Sequence, residues 1–144
     1  MPTPKTSRNT SSLSLPSVTL ALRQEITKLC EEHDRNEDSK PDFRRCVVLR
    51  GYFIKYDCHR SLYPQYKTQQ YIYEKALGDA NAPRVPDVYH HFSPEHKMAY
   101  LVMEYIDAKA TPVRNAPEKV AVALQWLLGL RCLNRSYGRW MGPP

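Results

Sequence analysis

The chain has 144 residues, of which 42% are hydrophobic, and a formal net charge of +6. This length is that of one domain or one lobe of a larger domain, and every apolar run is too short to span a bilayer. The positive charge lies at the two ends, because residues 1–24 carry +3 and residues 109–144 carry +5, whereas residues 25–108 carry −2. A nearly neutral centre argues against a dedicated nucleic-acid-binding domain.

Cysteine usage and the N-terminal sequence favour a cytoplasmic protein. Cys30, Cys46, Cys58 and Cys132 form no CxxC pair, and a chain with this hydrophobic content does not need disulfide bonds to fold. The apolar stretch 13–22 is interrupted by serine, proline and threonine, unlike a secretory signal. We therefore predict reduced thiols, a cytoplasmic location and no membrane association.

The first part of the chain predicts an arm and a helix. Residues 1–16 are predicted to be a disordered arm, residues 17–130 the folded lobe, and residues 131–144 an irregular basic tail. Ser17 is the expected cap of a helix that ends near His33. The stretch 31–42 is rich in charge and predicts a solvated loop, so that His33 to Asn36 would be an exposed helix terminus.

The next segments predict a hairpin followed by alternating helices and strands. Cys46–Leu49 and Tyr52–Tyr56 are the expected strands, joined by a turn at Arg50-Gly51 in which glycine accommodates positive φ. The alternation places Lys55 on one face of its strand and Ile54 on the other. Further elements are predicted as a helix over 64–77, strands over 86–92 and 99–105, and a helix over 117–130. The fold class is therefore α+β, with an antiparallel sheet of about four to five strands and flanking helices.

An ordered series of segments resembles a known family. The series consists of Tyr52-Phe53-Ile54-Lys55-Tyr56, Thr68 to Glu74, Ala82 to Tyr89, Tyr100 to Ile106, and Glu118 to Leu128. Over residues 44–130 it resembles the small lobe of aminoglycoside-phosphotransferase-like kinases, especially the large fungal set of uncharacterised proteins with this fold. The intact enzymes of such a family transfer the γ-phosphate of ATP to a hydroxyl acceptor.

The resemblance implies an ATP site and assigns its residues. Lys55 would bind the nucleotide phosphates, and the backbone of Glu104, Tyr105 and Ile106, here called the hinge, would face the adenine edge. Val47 and Met103 would line the base pocket. The alternative for Lys55 is a strand lysine that extends its ammonium group into solvent.

Three departures from the family pattern bear on catalysis. The glutamate expected on the helix after the lysine strand is replaced by Gln65 or Lys67, and Glu74 lies about two turns further on. No glycine-rich loop precedes the lysine strand; Arg44-Arg45 stands there instead. The His-Gly-Asp segment and the metal-binding aspartate expected after residue 130 do not occur in the sequence. We predict no catalytic residue and no metal site, do not expect this chain alone to hold magnesium, and interpret it as a truncated small lobe or pseudokinase.

Three other functions compete with this interpretation. A zinc site would need Cys58-His59, His90-His91 and His96 to converge, although adjacent strand residues point to opposite faces. The basic tail with Trp140 has the arginine and aromatic residues that bind single-stranded nucleic acid, but nothing before residue 131 prepares such a surface. A non-catalytic interaction module would instead bind a protein partner through the apolar stripe of the last helix, beside Trp126; the same stripe could pack on the chain's own sheet.

Overall fold

A four-stranded antiparallel sheet and three helices form the fold, in a computed structural model that describes residues 18–107 and 116–130. In chain order the elements are α1 (Leu20–Glu37), β1 (Cys46–Leu49), β2 (Tyr52–Cys58), α2 (His59–Ala76), β3 (Val88–Phe92), β4 (Met98–Glu104) and α3 (Pro117–Gly129), with a 3₁₀ turn at Pro94–His96. The predicted α+β class is confirmed. The arm at 1–16 and the tail at 131–144 lie outside the described residues.

Helix α1 begins and ends later than the sequence predicted. Thr19 caps it, because its Oγ1 accepts a hydrogen bond of 3.2 Å from the backbone N–H of Leu22; the predicted cap, Ser17, lies outside the described residues. The predicted loop over 31–42 is wrong in its first half, which is helical to Glu37. The physical reason is a tertiary contact: His33 Nδ1 lies 2.8 Å from the hydroxyl of Tyr56 on the sheet. His33 therefore packs on the sheet, whereas Arg35 and Asn36 in the same last part of the helix are exposed, as predicted.

Strands β1 and β2 form the predicted hairpin. Arg50 has φ 49° and Gly51 has φ 82°, which is the pair of left-handed conformations that a two-residue turn between twisted strands requires. The register pairs Val47 with Ile54 and Cys46 with Lys55. Since paired residues share a face of the sheet, this register decides which side chains of β1 lie beside the lysine.

Helix α2 begins five residues before the predicted start at Pro64. The Asp57 carboxylate accepts hydrogen bonds from the Cys58 backbone N–H at 2.7 Å and from the Ser61 hydroxyl at 3.1 Å. These bonds stabilise the first turn from His59 onward, so Pro64 lies inside the helix. A proline there leaves one carbonyl of the preceding turn without its usual donor.

The strand order is β1-β2-β4-β3, with every neighbouring pair antiparallel. Strand β4 is central and pairs with β2 over its whole length, from Tyr52↔Glu104 to Cys58↔Met98. A bulge between Val88 and His90 interrupts the pairing of β3 with β4. Strand β4 therefore has neighbours on both sides, and its residues Ala99–Met103 are all buried.

The sheet separates two apolar clusters. On one face α1 packs on the sheet through a cluster of buried residues: Ile26, Cys30, Tyr52, Ile54, Tyr56, Phe92, Tyr100 and Val102. On the other face α2 contributes Leu62 to a smaller cluster with Ala99, Leu101 and Met103. Burial raises the pKa of the Cys30 thiol to about 12, with nearby Asp34 and Glu31 acting in the same direction. That thiol stays protonated and acts as a small apolar side chain.

Helix α3 begins at the predicted Pro117, ends at Gly129, one residue before the predicted end, and buries none of its residues. Its Trp126 donates a hydrogen bond of 2.8 Å from Nε1 to the Asp79 carboxylate, in the loop after α2. Val122 and Leu124 are each 54% exposed and Leu128 is 86% exposed. The apolar stripe of α3 is thus not packed on the described sheet. No helix in the described ranges has the length and hydrophobicity needed to cross a membrane.

Candidate functional site

Lys55 lies in the middle of β2, on the face of the sheet that α2 covers. Its register partners are Cys46 on β1 and Leu101 on β4. It lines a groove of about 310 Å³, whose other walls are Leu101 and Met103 from β4 and Pro64, Gln65, Thr68 and Gln69 from α2. Within residues 18–107 and 116–130 its ammonium group has no hydrogen bond and no ion pair.

The side of this groove formed by α2 carries no carboxylate. Gln65 lines it, and its amide nitrogen donates to the Ser61 carbonyl at 3.3 Å. Lys67 does not line the groove, and its ammonium lies 5.1 Å from the centre of the Tyr66 ring. Glu74 is exposed and does not line the groove. The positive charge of Lys55 is therefore not neutralised by the helix and is available to an anionic ligand.

The first two residues of the hinge, Glu104 and Tyr105, form hydrogen bonds with other parts of the chain. The Glu104 backbone N–H donates to the Asp87 carbonyl at 2.9 Å, and that of Tyr105 donates to the Gly51 carbonyl at 3.3 Å. The Glu104 carboxylate binds Arg84 at 2.5 Å, so this side chain is engaged in holding the segment before β3. The backbone of Ile106 has no hydrogen bond to any part of the chain that the structure describes.

The two predicted base-pocket residues lie on opposite faces of the sheet. Met103 faces the Lys55 groove, whereas Val47 packs against the α1 cluster, because its register partner is Ile54. Val47 therefore lies on the face of the sheet opposite to Lys55 and cannot line a base pocket beside it. Its neighbour Val48, which sequence reasoning did not select, is 51% exposed and pairs with Phe53 on the lysine face. The period of two in a strand means that an error of one residue changes the face.

Arg45, which stands where the resembled family has a glycine-rich loop, binds two carboxylates. Its guanidinium lies 3.1 Å from Asp34 on α1 and 3.1 Å from Asp57 on β2. Burial by itself would raise the pKa of Asp57, but hydrogen bonds from Cys58, Ser61 and Arg45 outweigh burial and lower that pKa. The arginine thus joins helix, hairpin and sheet, and is not free to cover a phosphate.

The structure brings together histidines that are distant in the sequence. The His59 ring centre lies 5.9 Å from that of His91 and 5.5 Å from that of His96, and His91 stacks on Tyr66 at 4.6 Å. His90 points to the other face of the sheet and stacks against Phe92. Despite this convergence, no group of three or more His, Cys, Asp or Glu among the described residues has the geometry to hold a metal ion.

Sequence reasoning missed a second groove, on the α1 face of the sheet. It lies between α1 and the β3–β4 turn, has a volume of about 640 Å³, and is lined by Arg23 and Phe92 among others. The available signal was weak: Arg23 is one of only three charged residues in the acid-free stretch 1–24. Its proximity to Phe92 depends on tertiary packing and cannot be read from the sequence.

Comparison with protein-family models, with curated proteins and with solved structures gives no significant match to this chain. The resemblance to a kinase-like small lobe therefore stays a prediction that rests on the residues themselves.

Proposed function

We propose that this chain is a nucleotide-binding small lobe of the kinase-like type, in which Lys55 contacts the phosphates of ATP and the hinge contacts the adenine. The observation that carries the proposal is the Lys55 groove: a lysine that forms no ion pair with the described residues lies between a central strand and the following helix. A lysine in such a position neutralises phosphate charge in kinase-like enzymes.

The position of the hinge relative to Lys55 supports a ligand that has a base at one end and phosphates at the other. Leu101 is the register partner of Lys55, and Glu104 follows three residues later on the same strand. Three strand residues span about 10 Å. A base that contacts the start of the hinge, at Glu104, would lie at a comparable distance from phosphates at Lys55, and Ile106 lies two residues beyond that point. Met103 lies between these two positions and offers an apolar contact to the base.

The proposal concerns binding and not turnover. Phosphoryl transfer depends on metal ions and on a residue that positions the acceptor, and the described residues that line the Lys55 groove include neither an acidic side chain nor a histidine. Intact relatives of the resembled family would transfer the γ-phosphate of ATP to a hydroxyl group. We place the chain in the cytoplasm, which the free thiols of Cys30, Cys46 and Cys58 support.

The test is a thermal-shift titration of the purified chain with ATP, with and without magnesium. A ligand that binds only the folded state stabilises it by about 2.7 kcal/mol at a concentration of 100 times Kd, so we expect Tm to rise by several degrees. Lys55→Met should remove this rise. Lys97→Met is the matched control, because Lys97 is an exposed lysine outside the groove whose ammonium lies 3.6 Å from the Glu95 carboxylate. A cooperative transition that ATP does not move, or an undiminished rise in Lys55→Met, would contradict the proposal.

A second candidate function, a protein-interaction module, is favoured by helix α3. Its apolar side chains are exposed, and Trp126 is anchored to Asp79 at its edge. Clustered exposed apolar residues are typical of interaction surfaces. We expect sedimentation velocity to show concentration-dependent association that Leu128→Asp abolishes. Gln125→Asp, on the same helix, introduces the same charge without removing an apolar contact and should leave association unchanged. A chain that stays monomeric at every concentration would argue against self-association through α3.

A further inference from the structure

The groove on the α1 face has the size of a small-molecule site. Its volume is about 640 Å³, within the range of about 300–1,000 Å³ that ligand pockets occupy. Arg23 and Thr27 of α1 form one wall, and Phe92 and Pro94 form the other. The four-stranded sheet separates it from Lys55, so anything it binds would be independent of the nucleotide site.

Arg23 is the chemically distinctive residue of this groove. Its guanidinium carbon lies 5.7 Å from the centre of the Phe92 ring. Its Nε is buried and has no hydrogen-bond partner, and the guanidinium forms no ion pair with the residues of 18–107 and 116–130. A ligand would reach the terminal nitrogens of the guanidinium, because Nε itself has almost no accessible surface. A planar guanidinium that is positioned by an aromatic ring is well suited to a carboxylate, which it binds through two parallel hydrogen bonds.

The charged residues around Arg23 favour a ligand that carries a single negative charge. Lys28 and Glu31 also line the groove and offset each other, and Lys28 additionally lies 3.9 Å from Glu32. The neighbouring His90 has its pKa lowered, first by burial and then by the charge of Arg23, so it adds no positive charge at neutral pH. One unopposed cation with a carboxylate nearby favours a monoanion over a dianionic phosphate.

We propose that this groove binds a small monocarboxylate with an apolar or aromatic body, whose carboxylate is held by Arg23. The body of the ligand would contact the apolar side chains of Leu20, Phe92 and Pro94, of which Leu20 is 70% exposed in the structure. Residues 1–17 contain no Asp or Glu, so the chain's own N-terminal segment has no side-chain carboxylate to offer Arg23.

The test uses 4-phenylbutyrate and its neutral amide, 4-phenylbutanamide, as probes in calorimetric titrations of the full chain. We expect saturable 1:1 binding of the carboxylate, and binding of the amide weaker by about tenfold or more, because a charge-assisted pair is replaced by a neutral one. Arg23→Gln should weaken binding of the carboxylate by the same factor. Arg35→Gln, in the last turn of α1 and outside the groove, should leave it unchanged.

Three outcomes would overturn the assignment: no saturable binding of the carboxylate, equal binding of the two probes, or undiminished binding by Arg23→Gln. Because Arg23→Gln could also fail to fold, chemical-shift mapping on the unmodified chain gives an independent answer. Shifts that 4-phenylbutyrate induces at Thr27, Phe92 and Ser93 support the site. Shifts confined to other parts of the chain, including the Lys55 groove, overturn it.

Discussion

At the scale of single residues, three cations of this chain occupy different electrostatic environments. Arg45 is held between Asp34 and Asp57, whereas the described part of the chain gives Lys55 and Arg23 no carboxylate partner. A paired surface arginine contributes mainly to structure. Cations without partners next to grooves are candidates for binding anions, and this difference, rather than residue type, is the basis of both binding proposals.

His91 makes stability depend on pH at the residue scale. Burial, reinforced by His59, His90 and Lys67, lowers the pKa of His91 below its ordinary value of 6.5. The folded state therefore binds fewer protons than the unfolded state as pH falls below about 6.5, and stability is lost in that direction. We expect Tm to fall between pH 7 and pH 5. His91→Phe, which keeps the stacking on Tyr66 but cannot be protonated, should reduce this fall by a few degrees.

The control for this prediction is His96→Phe, since His96 is exposed at the turn next to the same cluster. Differential scanning calorimetry at several pH values measures both variants against the unmodified chain. An unchanged acid dependence in His91→Phe would show that other groups, such as His90, carry the effect.

At the scale of secondary-structure elements, the interiors of helices and strands follow the sequence and their ends follow tertiary contacts. The hairpin strands and α3 begin where the sequence predicts, because their apolar patterns and turn residues are local, although β2 continues two residues past the predicted Tyr56 to Cys58. The C-terminal end of α1 was predicted wrongly because it depends on the contact of His33 with Tyr56 on the sheet. The start of α2 was predicted wrongly because Asp57 stabilises the first turn, whereas Pro64 favoured a later start.

Gly51 should be the critical residue of the β1–β2 turn. Its φ of +82° lies in the left-handed region, and a Cβ added there would meet nothing within 4 Å. Gly51→Ala should therefore destabilise the fold through backbone strain alone, by about 1–2 kcal/mol. Gly129→Ala is a matched control, because a Cβ there also meets nothing within 4 Å and its φ is not positive.

Urea unfolding of the two glycine variants measures the difference. We expect a lower free energy of unfolding for Gly51→Ala and an equal or slightly higher value for Gly129→Ala, since alanine favours a helix. If both variants have the same stability, the strain of this turn does not contribute to the fold.

At the scale of the whole molecule, the sheet keeps two sites apart. The Lys55 groove opens on the α2 face and the Arg23 groove on the α1 face, with the residues of β2 and β4 pointing alternately to each. ATP binding and carboxylate binding are therefore independent predictions, and an experiment that contradicts one does not contradict the other. Helix α3 adds a third surface that shares no lining residue with either groove.

The sequence by itself determined the α+β class, the hairpin with Lys55 on one face, and the position of α3, because period, turn residues and strand composition are local properties. The predicted two-residue turn also fixes the hairpin register, so the pairing of Val47 with Ile54, away from Lys55, was already implied by the sequence. Tertiary structure alone decided that Arg45 binds Asp34 of α1 and that Arg23 lies on Phe92. The physical reason is that the packing of α1 on the sheet brings these side chains together, and this packing is not specified by residues that are neighbours in the chain.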